Sequence, residues 1–168
     1  FFIEGKEIFT PSGRENRSGF YCPLELFYSR RIGRILPDGS TVPLNLGAKA
    51  FGRIGDWEYG GFLARTGEKE YALDGESLTE ERAMFNSLRL KKQIFSNSQI
   101  GLLYVGKQDR ETNSGVVDID GAFRAPAWQV SYQIARSYKN DKGDFAGSLG
   151  LLSLTDKMIL GLRSRYIG

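Results

Sequence analysis

WQVSYQIARSY, residues 128–138, decides the fold class. In an extended strand successive side chains point to opposite faces, so each face reads as every second residue. One face here carries Trp128, Val130, Tyr132, Ile134 and Tyr138, interrupted only by Arg136. The other carries Gln129, Ser131, Gln133, Ala135 and Ser137, polar but uncharged. Such a mild second face suits a wet, enclosed interior, and the oily one suits hydrocarbon.

The same period of two recurs along the chain after residue 45. Val117, Ile119, Gly121 and Phe123 oppose Asp118, Asp120 and Ala122. Ile100, Leu102 and Tyr104 share a face, as do Trp57, Tyr59, Gly61 and Leu63, opposed by Glu58 and Gly60. Met158, Leu160, Leu162 and Tyr166 oppose Gly161, Arg163 and Arg165. With Leu46–Ile54, Phe85–Ile94 and Phe145–Leu154, this predicts about eight antiparallel strands over 46–168. Several reach the ~9–11 residues that a tilted strand needs to cross a bilayer. Ser96-Asn97-Ser98 reads as a tight connection and Gly67 to Arg82 as a long acidic loop. Trp57, Tyr104, Trp128, Tyr138 and Tyr166 fall near strand ends, where barrels carry aromatic girdles.

Residues 1–45 lack this regularity and read as an irregular plug or cap. The chain starts at Phe1 without Met and stops at Gly168 within an apolar-patterned strand. Both ends are read as cut, the C-terminal strands above all, so the expectation is an incomplete up-and-down transmembrane β-barrel. Unpaired sheet edges cannot sit in lipid, and the piece alone is not expected to seal.

Composition narrows the chemistry. The 168 residues hold no histidine and one cysteine, Cys22, so Ser-His-Asp and Cys-His catalysis, zinc sites and a disulfide framework have no residues to build on. The net charge of +3 is spread through strands and turns, which speaks against nucleic acid as a partner. No stretch offers the roughly 20 apolar residues of a membrane helix. No phosphate-cradling glycine loop is present. The reading therefore includes no cofactor, no metal and no catalytic residue.

Two segments add a resemblance. FFIEGKEIF (Phe1–Phe9) and LFYSRRIGR (Leu26–Arg34) are similar to paired motifs of the bacterial family termed domain of unknown function 5916. GAKAFGR (Gly47–Arg53) resembles that family's first regular barrel strand, as does GDWEYG (Gly55–Gly60), which follows it. The resemblance is specific over residues 1–60 and loose beyond. It implies a Gram-negative outer-membrane barrel, preceded in the family by a carbohydrate-binding-like β-sandwich of family nine type. Outer-membrane lipid and saccharide are the partners it implies. It brings no catalytic residues.

Arg30, Arg31 and Arg34 form the basic cluster with the strongest binding potential, because guanidinium groups bind carboxylates and phosphates through paired hydrogen bonds. The expectation is internal pairing with Asp118, Asp120 or Glu58, ahead of an acidic saccharide or lipopolysaccharide phosphate. Asp118 and Asp120 also have the spacing of a carboxylate pair, the kit of a glycosidase, but lumen walls use the same alternation. Glu4 and Glu7 read as one exposed helical turn or as plug anchors. Lys49, Arg53, Arg163 and Arg165 are expected to face inward and Arg136 to lie near an interface, since an arginine in mid-bilayer costs ~2–4 kcal/mol. The rival readings are a soluble all-β ligand- or glycan-binding domain and, behind it, a glycan-active hydrolase.

Overall fold

The computed structural model describes residues 6–13, 20–27 and 32–168. Ten strands form: β1 (Leu44–Ile54), β2 (Trp57–Thr66), β3 (Lys69–Leu73), β4 (Glu76–Glu80), β5 (Met84–Ile94), β6 (Ser98–Gln108), β7 (Asn113–Ala125), β8 (Trp128–Lys139), β9 (Phe145–Leu154) and β10 (Ile159–Ile167). Eight of them make one antiparallel sheet in the order β1-β2-β5-β6-β7-β8-β9-β10, while β3 and β4 pair only with each other. Among the described residues the sheet is open, with β1 and β10 as its edges, and there is no α-helix. All eight strands expected from alternation are present.

One expectation fails. The span 67–82 is no plain loop, because it folds into the β3–β4 hairpin. Asp74 and Gly75 both adopt positive φ (54° and 86°), the backbone of a two-residue turn that follows strand twist. Asp tolerates that conformation and Gly meets no steric cost in it.

The connections sort by rim. At one rim they are short: 55–56, 95–97, 126–127 and 155–158. At the other they are 67–83, 109–112 and 140–144. Trp57, Phe95 and Trp128, all substantially exposed, sit at the short-turn rim, whereas Tyr138, Phe145 and Tyr166 lie toward the opposite one.

The strands are also staggered. The row of register partners that starts at Trp57, first residue of β2, passes through Lys92, Ile100, Gly121, Tyr132 and Leu149 to Ser164, the sixth residue of β10. Each short-turn hairpin is flush at its own rim, and successive hairpins step along the strand direction. Shear of this kind is what a sheet needs in order to curl toward closure.

The two faces differ in kind. Tyr59, Leu88, Leu102, Ile119, Ile134, Leu149 and Leu162 share one face and are exposed, Ile134 at 59% and Leu162 at 65%. Charges on this outer face are few: Arg65, Lys92 and Arg136. Arg136 lies toward the long-connection rim, over the ring of Phe145 at 5.1 Å. Glycines on the same face lie beneath tyrosine rings of the next strand. A Cβ on Gly52, Gly115 or Gly121 would meet Tyr59, Tyr138 or Tyr132 at 2.6 Å. Each ring covers its glycine and gains packing area that an upright side chain would lose.

The inner face is overlaid by the described parts of residues 6–27. Ile8 sits over Gly60, Tyr21 over Gly150 and Phe20 over Gly161, and a Cβ at any of the three glycines would come within 2.6 Å of the ring or methyl above it. Near the long-connection rim the inner face turns apolar. Phe9 stacks on Phe27 with centroids 4.4 Å apart, Phe27 meets Phe62 edge-on at 6.1 Å, and Ile32, Ala64 and Phe85 complete the cluster.

Candidate functional site

Register assembles the site. Arg53, Glu58, Lys91, Gly101, Asp120, Gln133, Ser148 and Arg165 are successive partners across all eight strands, forming one inner-face row. Arg89 and Asp118 lie in the adjacent row, with Leu103 between them.

Arg89 is the centre. Its Nη1 and Nη2 donate to the two carboxylate oxygens of Asp120, the second bond at 2.9 Å, and neither side chain is exposed. This fork is the strongest pairing that a carboxylate can make with a side chain. Reaching Asp120 from β5 requires crossing β6, and Gly101 is the crossing point. A Cβ there would stand 2.7–2.9 Å from the guanidinium atoms.

The row also grips the covering segment, largely through main-chain atoms. The Ser12 amide donates to Asp120 Oδ1 at 2.6 Å, and Arg89 Nη2 donates to the Thr10 carbonyl at 3.3 Å. Gln133 accepts from the Leu24 amide at 2.6 Å, donates to the Leu24 carbonyl at 3.1 Å, and donates to Asp118 Oδ2 at 3.2 Å. Tyr21 Oη and Ser148 Oγ are 2.8 Å apart, and Arg165 donates to the Cys22 carbonyl. Burial pushes the Tyr21 phenol up to about 12. Gly13 has φ of +82° and lies against Ser131, an approach open to a residue without Cβ.

Arg34 does not join this network. Its partner is Glu80 on β4, at 2.7 Å, with both side chains partly exposed. Asp120 is taken by Arg89, and Glu58 lies 3.8 Å from Arg53. The expected pairing of the basic cluster with Asp118, Asp120 or Glu58 is therefore corrected at Arg34, while Arg30, Arg31 and Glu4 lie outside the described residues. Glu7 is exposed on a single 3-10 turn, Lys6–Phe9. Lys49, Arg53, Arg163 and Arg165 register with inner-face residues, Lys49 opposite Phe62 and Arg163 opposite Gly150.

Asp118 and Asp120 are fully buried, and Asp120 is saturated by Arg89 and Ser12. A glycosidase pair must admit both a sugar and a water, and neither carboxylate has exposed surface to receive them. Among the described residues no cluster of histidine, cysteine or carboxylate side chains could hold a metal.

Sequence reading missed Arg89 as the partner. The signal was there: Arg89 and Lys91 alternate with Leu88 and Leu90 in β5, as Asp118 and Asp120 alternate with Val117 and Ile119 in β7. Two cations and two anions in the same phase, one strand apart, predict a cross-strand ion pair.

No family model, no curated protein and no solved structure matches this chain.

Proposed function

We propose that this chain forms a section of a transmembrane β-barrel in a Gram-negative outer membrane, non-catalytic, with residues 1–45 seated against the lumen wall as a plug. One observation carries the reading: the sheet leaves its aliphatic face exposed, while in its middle strands the polar face, with Arg89, Lys91, Asp118, Asp120 and Gln133, is buried. A soluble sandwich or lipocalin-like barrel does the reverse, since burial of apolar surface drives its folding. A contiguous apolar face of this extent marks a membrane or protein partner.

Three features support lipid as that partner. Aromatic residues gather toward both rims with aliphatic residues between them, short turns alternate with longer connections, and the strands are sheared as closing barrels require. No helix among the described residues is long and apolar enough to cross a membrane, and strands are the elements in question here. The segments that resemble the domain of unknown function 5916 support the outer-membrane setting and a link to carbohydrate handling.

Refolding of the whole barrel to which this section belongs tests the proposal, since the section's own edges would stay unpaired in lipid. With phospholipid vesicles the barrel should become protease-resistant and run on gels at a position that shifts on heating. A monodisperse, folded protein in detergent-free buffer that ignores vesicles would favour the soluble all-β alternative.

A further inference from the structure

The inner face carries a marked charge imbalance. By register, nine basic side chains, two on each of β1, β5 and β10 together with Lys107, Arg124 and Lys139, face three carboxylates, Glu58, Asp118 and Asp120. Asp120 is consumed by Arg89 and Glu58 lies beside Arg53. At β10 the imbalance is greatest. Arg163 and Arg165 point to the inner side of that strand, and among the described residues neither has a carboxylate within ion-pairing distance.

These two arginines line a cavity of about 450 Å³, together with Tyr21, Cys22 and Ser148. The volume lies within the ~300–1,000 Å³ of small-molecule sites. Its polar lining offers guanidinium donors and the hydroxyls of Tyr21 and Ser148, with no acid among the lining residues. Arg165 is steadied from one side by the Cys22 carbonyl, and Arg163 makes no bond to another described side chain. We infer that this cavity is an oxyanion site: it takes a carboxylate or phosphate group of a solute, held by Arg163 and Arg165 in forked hydrogen bonds. The inference rests on the lumen reading above for its location and names the class of solute that such a lumen favours. Rings of basic side chains make pores and pockets prefer anions, and lumen charges set that preference.

Cys22 lines the cavity, is exposed and is the sole cysteine of the sequence, so it serves as a built-in reporter. The refolded full chain is treated with an anionic sulfonatoethyl and a cationic trimethylammonioethyl methanethiosulfonate, each rate being taken relative to a free small thiol. The site predicts at least a fivefold preference for the anionic reagent. The preference should be lost in the R163Q/R165Q variant and kept in part in R163K/R165K, which retains charge without the fork. Inorganic phosphate, glucuronate and neutral glucose, added as competitors, separate the two sources: slowing by glucuronate alone assigns a carboxylate sugar, slowing by phosphate alone a phosphate group, and neutral glucose should do nothing. Equal relative rates, or a preference unchanged in R163Q/R165Q, would overturn the site. Since the readout needs no bilayer, a chain that fails to enter vesicles yet shows the arginine-dependent preference breaks the membrane reading and leaves the oxyanion site standing.

Discussion

Gln133 and Ile134 are neighbours in β8, yet one is almost fully buried and the other more than half exposed. The contrast repeats from β2 to β9 and is inverted relative to a water-soluble fold. On the inner side, Arg89, Asp118 and Asp120 are wholly enclosed, while on the outer side leucines and isoleucines stand open. The inner face is held by directional bonds between side chains and a covering main chain, whereas the outer has only contacts within its own layer, such as Phe123 stacked on Tyr132 and the hydroxyls of Tyr104 and Tyr138, and no covering segment among the described residues. What stabilises one face is therefore internal to the protein, and what stabilises the other is whatever medium touches it.

Breaking the inner face should have the largest effect. Asp120→Ala leaves the Arg89 guanidinium buried without its carboxylate and frees the Ser12 amide, a loss of about 3–5 kcal/mol. Denaturant titration of the lipid-refolded protein, followed by tryptophan fluorescence, measures it. Replacing both partners with apolar residues of similar size (Arg89→Met with Asp120→Leu) should cost far less, because no orphaned charge remains.

Changing the outer face comes next. Ile134→Arg puts a charge where a membrane barrel meets hydrocarbon, at a cost of about 2–4 kcal/mol in lipid. The comparison sharpens in detergent-free buffer. If the outer face meets water, the same substitution there would be neutral within ~0.5 kcal/mol, as exposed substitutions are.

A third change probes how the faces are kept apart. Gly101→Ala forces the Arg89 fork aside at its crossing of β6, and overpacking of this kind costs about 1–3 kcal/mol. The same substitution made together with Arg89→Met should be close to neutral relative to Arg89→Met alone. A double-mutant cycle with no coupling would contradict the crossing geometry.

Much of this was legible in the sequence, for identifiable reasons. A period of two survives any context, so Trp128–Tyr138 and its counterparts marked the eight strands of the main sheet and which residues share a face. The β3–β4 hairpin was also written there, in Asp74-Gly75 between Tyr71, Leu73 and Leu78. Its acidic flanks hid it, because the short apolar row of Tyr71, Leu73 and Leu78 is bracketed by Lys69, Glu76 and Glu80 on the same face. The attachment of the described residues 8–13 and 20–24 was less accessible. Ser12 and Leu24 bond through main-chain N–H, and Thr10, Cys22 and Leu24 through main-chain carbonyls, groups that nearly every residue possesses. A basic cluster drew the eye to Arg34, whose partner proved to be the nearby hairpin, while Arg89 was masked by its place inside an otherwise ordinary strand.

The most direct test places a fluorophore at single cysteines along β8, in a Cys22→Ser background, attached to the unfolded chain before refolding with vesicles. Water-borne reagents would report on the covering segment at Ser131 and Gln133, so the quencher is carried by the lipid acyl chains instead. Probes at 130, 132 and 134 should be strongly quenched and those at 129, 131 and 133 weakly, in strict alternation. Uniformly weak quenching at all six positions, with the protein folded, would mean that the oily face of this sheet meets something other than a membrane.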